Sequence, residues 1–250
     1  MLSGFYTIAS GMLTNQRNID TIGNNLVNLQ TPGYRTERLI GTSFEMELMI
    51  RREQQGIEVL GDGIGASAAV VGDVVTIFDG GTLSPTDRPL DVAINGEGFF
   101  NIAGAGGINY LTRNGGFDID EEGYLILSGL GRVLGENGEI HVETSDISIR
   151  GDGSIENSQG EVIARLLVSA PEENTILERQ TNGMFTSNTP LAAAENYEII
   201  QNYLELSNSD MNREMTNLLA AQRAFQSCSS ALQIIDGLDR KAATQIASIS

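Results

Sequence analysis

The sequence predicts an α+β protein: an all-β central domain flanked by long N- and C-terminal helices that pair as a coiled coil. Two observations carry this. Apolar residues recur at alternating steps of three and four at both ends of the chain, the spacing of a coiled-coil seam. Between Gly56 and Pro190 no helical period survives, and short β-branched or aromatic runs alternate with glycine-bearing turns.

At the N-terminus the seam is Phe5, Ile8, Met12, Asn15, Ile19, Ile22, Leu26 and Leu29. Asn15 is a polar interruption of the kind that fixes register at some cost in stability. The run stops at Thr31-Pro32-Gly33, because Pro32 has no N–H for a helix and biases Thr31 toward extended angles. Residues 35–85 then form an extended linking segment, with a possible short helix at Ser43–Arg52. Its apolar positions fall on no narrow face.

Residues 86–203 are expected to be a β-rich outer domain. From Ala69 onward strand-like runs come at regular spacing, among them Val74–Phe78, Leu90–Ile94, Phe99–Ile102, Tyr110–Thr112, Tyr124–Leu127, Arg132–Leu134, Ile140–Val142, Ile147–Ile149 and Val162–Val168. Asn114-Gly115, Glu122-Gly123, Asn137-Gly138 and Asp152-Gly153 are turn signals between them. Glycines 96 and 98, between Ile94 and Phe99, mark a turn that needs positive φ or close backbone approach.

Residues 204–250 return to helical spacing through Met211, Met215, Leu218, Ala221, Phe225, Cys228, Leu232, Ile235, Leu238, Ala242, Ile246 and Ile249. Asn208, Ser209 and Asp210 supply capping side chains, and Gly237 is the only glycine in the run. One helix of about 40 residues, roughly 60 Å long, follows. Such a helix needs a partner for its stripe, and the N-terminal seam, 1–34, offers one. Packing of both helices on a globular core is the alternative that periodicity leaves open.

The formal charge of -18 is placed unevenly. Residues 1–42 carry Arg17, Arg35 and Arg38 against Asp20 and Glu37, and residues 201–250 carry four basic against five acidic groups. The ends are therefore near neutral and can lie against copies of themselves, while the acidic middle stays solvated and repels nucleic acid and anionic membranes. A single cysteine, Cys228, excludes an internal disulfide and falls on the helical stripe, where it reads as a small hydrophobe. The N-terminus has no cleavable secretory pattern and no run is long and apolar enough to insert in a membrane.

Three stretches imitate chemistry. Gly61-Asp62-Gly63-Ile64-Gly65-Ala66 fits a loose dinucleotide pattern but leads into a strand-like run rather than a helix. Asp118, Asp120, Glu122 and Gly123 resemble half of a calcium loop, yet its last position is Gly129 where a bidentate Glu is needed, so an acidic hairpin turn is the expectation. His141, the lone histidine, has no second ligand or triad partner near it in sequence. No catalytic group, cofactor site or metal site is expected.

Ile22-Gly23-Asn24-Asn25-Leu26-Val27-Asn28 with Thr31-Pro32-Gly33-Tyr34-Arg35 resembles the signature of the bacterial flagellar rod and hook proteins. Pro89–Phe100, Tyr110–Phe117 with Gly123-Tyr124-Leu125, and Leu204–Asn208 with Glu214 and Ala221-Gln222-Arg223-Ala224-Phe225 resemble the family's later motifs, in order. Val27 and Phe225 stand where Ala and Tyr are usual. The resemblance implies a structural subunit whose terminal helices pair around the axis of a tube that carries torque from motor to hook. Its partners would be copies of itself, other rod and hook proteins, and the flagellar type III export apparatus. It would lie in the basal body, outside the cytoplasmic membrane, exported without a cleaved signal. Length and the Ser43–Arg52 stretch are most similar to distal rod proteins, with proximal rod and hook subunits as alternatives. A non-flagellar secreted β-domain that binds a ligand or cell surface is the alternative from another class. The expected assembly interface is Phe5, Ile8, Met12, Ile19, Ile22, Asn24, Asn25, Leu26, Met215, Leu218, Gln222, Phe225, Leu232 and Ile235.

Overall fold

Two long helices bracket a central region in which every described element is a strand. The computed structural model describes residues 2–43, 69–70, 73–104, 107–144, 146–172, 175–180, 182–189 and 191–247. The chain divides into two compact units, one of Met1–Val27, Thr36–Phe78 and Ser209–Ser250, the other of Asn28–Arg35 and Asp79–Asn208. Apart from Ser43, the possible helix at Ser43–Arg52 lies outside the described residues, and so does the glycine loop Gly61–Ala66.

In the first unit the N-terminal helix, Leu2–Val27, packs along the C-terminal helix, Met211–Ala247. The two run antiparallel, since Asn15 Nδ2 approaches Cys228 Sγ at 4.0 Å whereas Asn25 Nδ2 reaches Glu214 Oε2 at 3.4 Å. A Cβ on Gly11 would sit 3.7 Å from Cys228 Sγ. Asp210 caps the C-terminal helix: its Oδ1 accepts the Arg213 N–H at 2.9 Å while its carbonyl accepts the first helical bond from Glu214. Between the helices in sequence, Glu37–Leu39 pairs antiparallel with Val74–Thr76, and Thr42–Ser43 with Ala69–Val70.

The second unit is built on an antiparallel sheet. Its main path runs Leu177–Arg179, Phe185–Ser187, Asn109–Thr112, Phe99–Ala103, Gly131–Gly135, Leu125–Leu127, Phe117–Ile119. Val168–Ala170 joins the edge of Phe99–Ala103 and pairs with Ala192–Ala193. A three-stranded sheet of Ser148–Ile149, Ser154–Glu156 and Val162–Arg165 accompanies it, with a register shift between Ile155 and Glu156. The period-two alternation of a strand sorts Phe99–Ala103 between two cores. Phe100 and Ile102 enter the main cluster with Phe117, Leu125, Val133, Ile140, Ile155 and Leu166, whereas Phe99 packs with Leu111 and Phe185.

Two strand pairs close the unit across long stretches of sequence. Val92–Gly96 pairs with Tyr197–Gln201, and Leu83–Pro85 with Tyr203–Glu205. The run Val162–Val168, expected as one strand, is divided between two sheets, and Leu166 bridges Gly135 at the switch. Three of the four turn signals join paired strands, with Gly123, Gly138 and Gly153 at positive φ. Asn114-Gly115 instead crosses over the sheet, where the Gly115 carbonyl accepts the Val92 N–H at 3.0 Å.

Gly96 and Gly98 have φ of +119° and +115°, and an added Cβ would meet Asn196 O at 2.5 Å or Val168 Cγ1 at 2.6 Å. Valine at either position is expected to destabilise the β unit by about 3 kcal/mol or more, since strain and overpacking add. Urea unfolding followed by circular dichroism checks this. A midpoint unchanged for both variants would contradict it.

Candidate assembly interface

The expected seam residues meet only in part within one chain. Ile22 is 5% exposed and Asn25 and Ala221 are buried. Ile8, Met12, Ile19, Leu26, Leu218, Phe225, Leu232 and Ile235 are half-buried, and Asn24 and Gln222 are exposed. Phe5 and Met215 stay 46% and 45% exposed, and Leu13, Leu219, Ile234 and Leu238 add further large apolar surface on the same two helices. A pair of helices can cover one side of each stripe only, so these side chains remain in solvent within one chain.

Asn25 does more than line a seam. Its side-chain amide reads the backbone of Glu37 as a strand neighbour would, donating from Nδ2 to Glu37 O at 2.8 Å and accepting Glu37 N–H on Oδ1 at 2.9 Å. One buried amide thus ties the strand Glu37–Leu39 to the helix. Asn24, its neighbour, is exposed.

In the β unit the residue that periodicity does not single out is Glu205. Arg35 and Glu205 are 1% and 2% exposed, and Arg35 Nη1 donates to Glu205 Oε1 at 2.6 Å. The same oxygen accepts the Gly81 N–H at 2.8 Å, and Arg113 Nη1 reaches Oε2 at 3.4 Å. Arg113 also donates from Nη2 to Gly96 O at 2.7 Å, and the Glu205 carbonyl accepts the Gly33 N–H at 2.7 Å. Three separated stretches, Gly33–Arg35, Gly81 and Arg113, therefore close on Glu205, and Gly96 joins them through Arg113. Two guanidiniums share one negative charge, and burial holds the Arg113 pKa below its ordinary value although Glu205 opposes the shift. Gly33 is required here: its φ is +69°, and any Cβ would run into the Arg113–Asn114 backbone.

The acidic turn has its own cation. Arg132 Nη2 pairs with Asp120 Oδ2 at 3.1 Å and with Glu122, Nη1 pairs with Glu139 at 2.8 Å, and the guanidinium covers the Tyr124 ring at 4.0 Å. Asp120 Oδ1 accepts the Glu122 and Tyr124 N–H groups at 3.0 and 2.7 Å, which folds the hairpin between Phe117–Ile119 and Leu125–Leu127. Arg132 thus pairs with two of the acidic residues that imitate a calcium loop, Asp120 and Glu122, while Asp118 lies 4.0 Å from Arg88. The turn bonds, with the Tyr124 N–H foremost, hold Asp120 below its ordinary pKa of 3.8. A carboxylate with a depressed folded pKa stabilises fully above its unfolded value, and that contribution is lost as pH falls through the lower folded value. Acid unfolding of Asp120→Asn is therefore expected to lose the part of its pH dependence below about pH 4 that the carboxylate supplies. An identical acid limb in both proteins would sink this. His141 packs edge-on to Tyr124, with its Nε2 3.0 Å from the Glu122 carbonyl.

Among the described residues no group of three or more His, Cys, Asp or Glu side chains is placed to hold a metal ion, and no described helix is long and apolar enough to cross a membrane. Long helices with uncovered apolar stripes, joined in sequence to a β unit stitched by buried ion pairs, define a structural class of protein that works by its surfaces.

Comparison with known proteins gives the family. Residues 5–35 match the model of the flagella basal body rod protein, 93–157 the flagellar hook protein FlgE/F/G D1 domain, and 200–246 the flagellar basal body rod FlgEFG protein C-terminal region. The chain is 30% identical to the flagellar basal-body rod protein FlgG of Borreliella burgdorferi over 95% of this chain and 96% of that one. It is 29% identical to FlgG of Bacillus subtilis over 94% and 96%, and 28% identical to the rod protein FlgF of Caulobacter vibrioides over the full length of both. The chain belongs to the flagellar basal-body rod protein family, a structural and not an enzymatic family.

The matched regions contain Asn25, Arg35, Arg113, Glu205 and Glu214. Sequence periodicity gave no role to Arg35, Arg113 or Glu205, although a lone acid in the otherwise apolar Tyr203-Leu204-Glu205-Leu206 run was the available signal. A carboxylate in a strand with both neighbours apolar is paired or costly.

Proposed function

We propose that this chain is a structural subunit of the flagellar rod that polymerises through its terminal helices and transmits torque from the motor toward the hook. The observation that carries the reading is the large apolar surface left on two antiparallel helices, Phe5, Leu13, Met215, Leu219, Ile234 and Leu238 among it. Residues 1–34 and 204–250 form the axial core as a coiled coil whose stripes are completed by neighbouring copies, and the interface includes Phe5, Ile8, Met12, Ile19, Ile22, Leu26, Met215, Leu218, Phe225, Leu232 and Ile235. The near-neutral ends permit close packing of copies, and the acidic middle remains solvated. Many modest contacts repeated on an open lattice give stiffness with no catalytic group.

Export through the flagellar type III apparatus and a place in the basal body outside the cytoplasmic membrane complete the reading. Within the rod a distal position is favoured, on the resemblance of the Ser43–Arg52 stretch to distal rod proteins, with a proximal position as the alternative. A hook subunit is not favoured, because rod relatives align over nearly their whole length and leave no room for a larger outer region. A free-standing secreted β-domain is set aside by the family membership.

The test is deletion of the gene in its host with complementation by the tagged full-length chain. Isolated basal bodies should lack a complete rod in the deletion strain, and should contain the tagged chain as multiple copies when complemented. Complete rods and normal swimming without the chain would refute the reading.

A further inference from the structure

Glu214 is 4% exposed, yet among the described residues its carboxylate has only two long contacts, Asn25 Nδ2 at 3.4 Å and Arg213 Nε at 3.8 Å. A carboxylate has about four acceptor sites and is expensive to bury without a cation at close range. It borders a cavity of about 420 Å³ in the helical unit, walled by small or polar residues that include Asn18, Thr21, Asn217, Ala220 and Ala224. Arg38 lines the same cavity and forms no ion pair among the described residues. The space is large enough for a long side chain and offers it a carboxylate and amides, the groups that bind a guanidinium.

The chain carries a matching donor on the opposite side of the same helix. Arg223 is exposed and its guanidinium makes no hydrogen bond or ion pair among the described residues. It stands nine residues beyond Glu214, about 180° around the helix at 100° per residue. An acceptor cavity on one face with its donor on the opposite face is the arrangement of a heterologous contact, which propagates from copy to copy without closing on itself.

We propose that the Glu214 cavity receives Arg223 of a second copy of this chain, so that one buried ion pair per subunit sets the register of neighbouring helices. This rests on the polymerising rod subunit proposed above and names the contact that would fix its lattice. Apolar stripes slide with little preference, whereas a desolvated charge pair is met in one register only.

The experiment uses the full-length chain in the deletion strain. A photoreactive benzoylphenylalanine at Asn217, on the cavity wall, should crosslink to a second copy within residues 219–227, read by mass spectrometry of the excised dimer. Arg223→Glu should weaken subunit incorporation at least about tenfold, and Glu214→Arg in the same chain should restore it, with the helical content of each purified variant measured alongside. Glu214→Gln provides the milder loss if Glu214→Arg does not fold.

Crosslinks to another part of a second copy, or to a different rod protein, would overturn the proposal while leaving the rod reading intact. So would normal incorporation of Arg223→Glu, the result expected if Arg38 of the same chain satisfies Glu214. Failure of the unsubstituted chain to enter any rod would remove both.

Discussion

Replacing Glu205 with alanine is expected to cost the β unit about 3–5 kcal/mol, the range for removing one partner of a buried ion pair. The physical cause is what remains behind. Arg35 at 1% exposure and the buried Arg113 would face each other without the carboxylate that now pairs with both, and the Gly81 N–H would lose its acceptor. Among the described residues Arg35 Nε and Arg113 Nε already lack hydrogen-bond partners, and Arg113 would keep only its bonds to the Ile94 and Gly96 carbonyls. Against a total stability of roughly 5–15 kcal/mol this is a large fraction, and a fall in Tm of more than about 10 °C should follow. Glu205→Gln should fall between the two, because it keeps an acceptor for Gly81 and loses the charge. The measurement is calorimetry of the full-length chain at two salt concentrations. Since the pair is buried, added salt should leave the difference nearly unchanged. A Tm for Glu205→Ala within a degree or two of wild type would show that the cluster is dispensable.

Ile22→Asp is expected to separate the terminal helices and abolish swimming while the β unit keeps its own melting transition. Ile22 borders the same cavity as Glu214, Glu37 and Arg38, so an aspartate there is buried and adds a third carboxylate to a site with one guanidinium. Burial of an unpaired charge costs several kcal/mol, enough to exceed the stability of one helix pair, and the cost repeats in every subunit of an assembly. Phe225→Asp should act in the same direction with a smaller effect in the isolated chain, because Phe225 is only half-buried there. Far-UV circular dichroism and amide exchange of the purified variants report on the helices, and a swimming assay reports on assembly. Wild-type motility from Ile22→Asp would mean that the seam does not run through this position.

The acidic turn shows how a sequence argument can reach the right element for an incomplete reason. The hairpin at Asp118–Tyr124 was legible from Glu122-Gly123 and from the missing twelfth calcium ligand. That Arg132 gathers Asp120, Glu122 and Glu139 was not, because Arg132 comes from the strand Gly131–Gly135 and reaches the turn only once the sheet has formed. Asp120 therefore does more than face solvent, and neutralising the turn removes a bond network along with charge. The same distinction applies to Asn24 and Asn25, which looked equivalent in the motif. Helix phase exposes the first and buries the second against the Glu37 backbone.

What the sequence by itself determined is what depends on local period and on turn chemistry: the two terminal helices, a cap within Asn208–Asp210, the turn glycines Gly96, Gly98, Gly123, Gly138 and Gly153, and the β character of the middle. Hydrophobic spacing of 3.6 or 2 and the conformational freedom of glycine are properties of neighbouring residues, so they can be read along the chain. The antiparallel match of Asn25 with Glu214, the pairing of Val92–Gly96 with Tyr197–Gln201, the division of Val162–Val168 between two sheets and the closure of Arg35, Gly81 and Arg113 on Glu205 were decided only in three dimensions. The pairings among them join residues 92 to 189 positions apart, where any one of many strands or charges satisfies the local pattern equally well, and only the simultaneous demand to pair every buried donor, acceptor and charge selects among them.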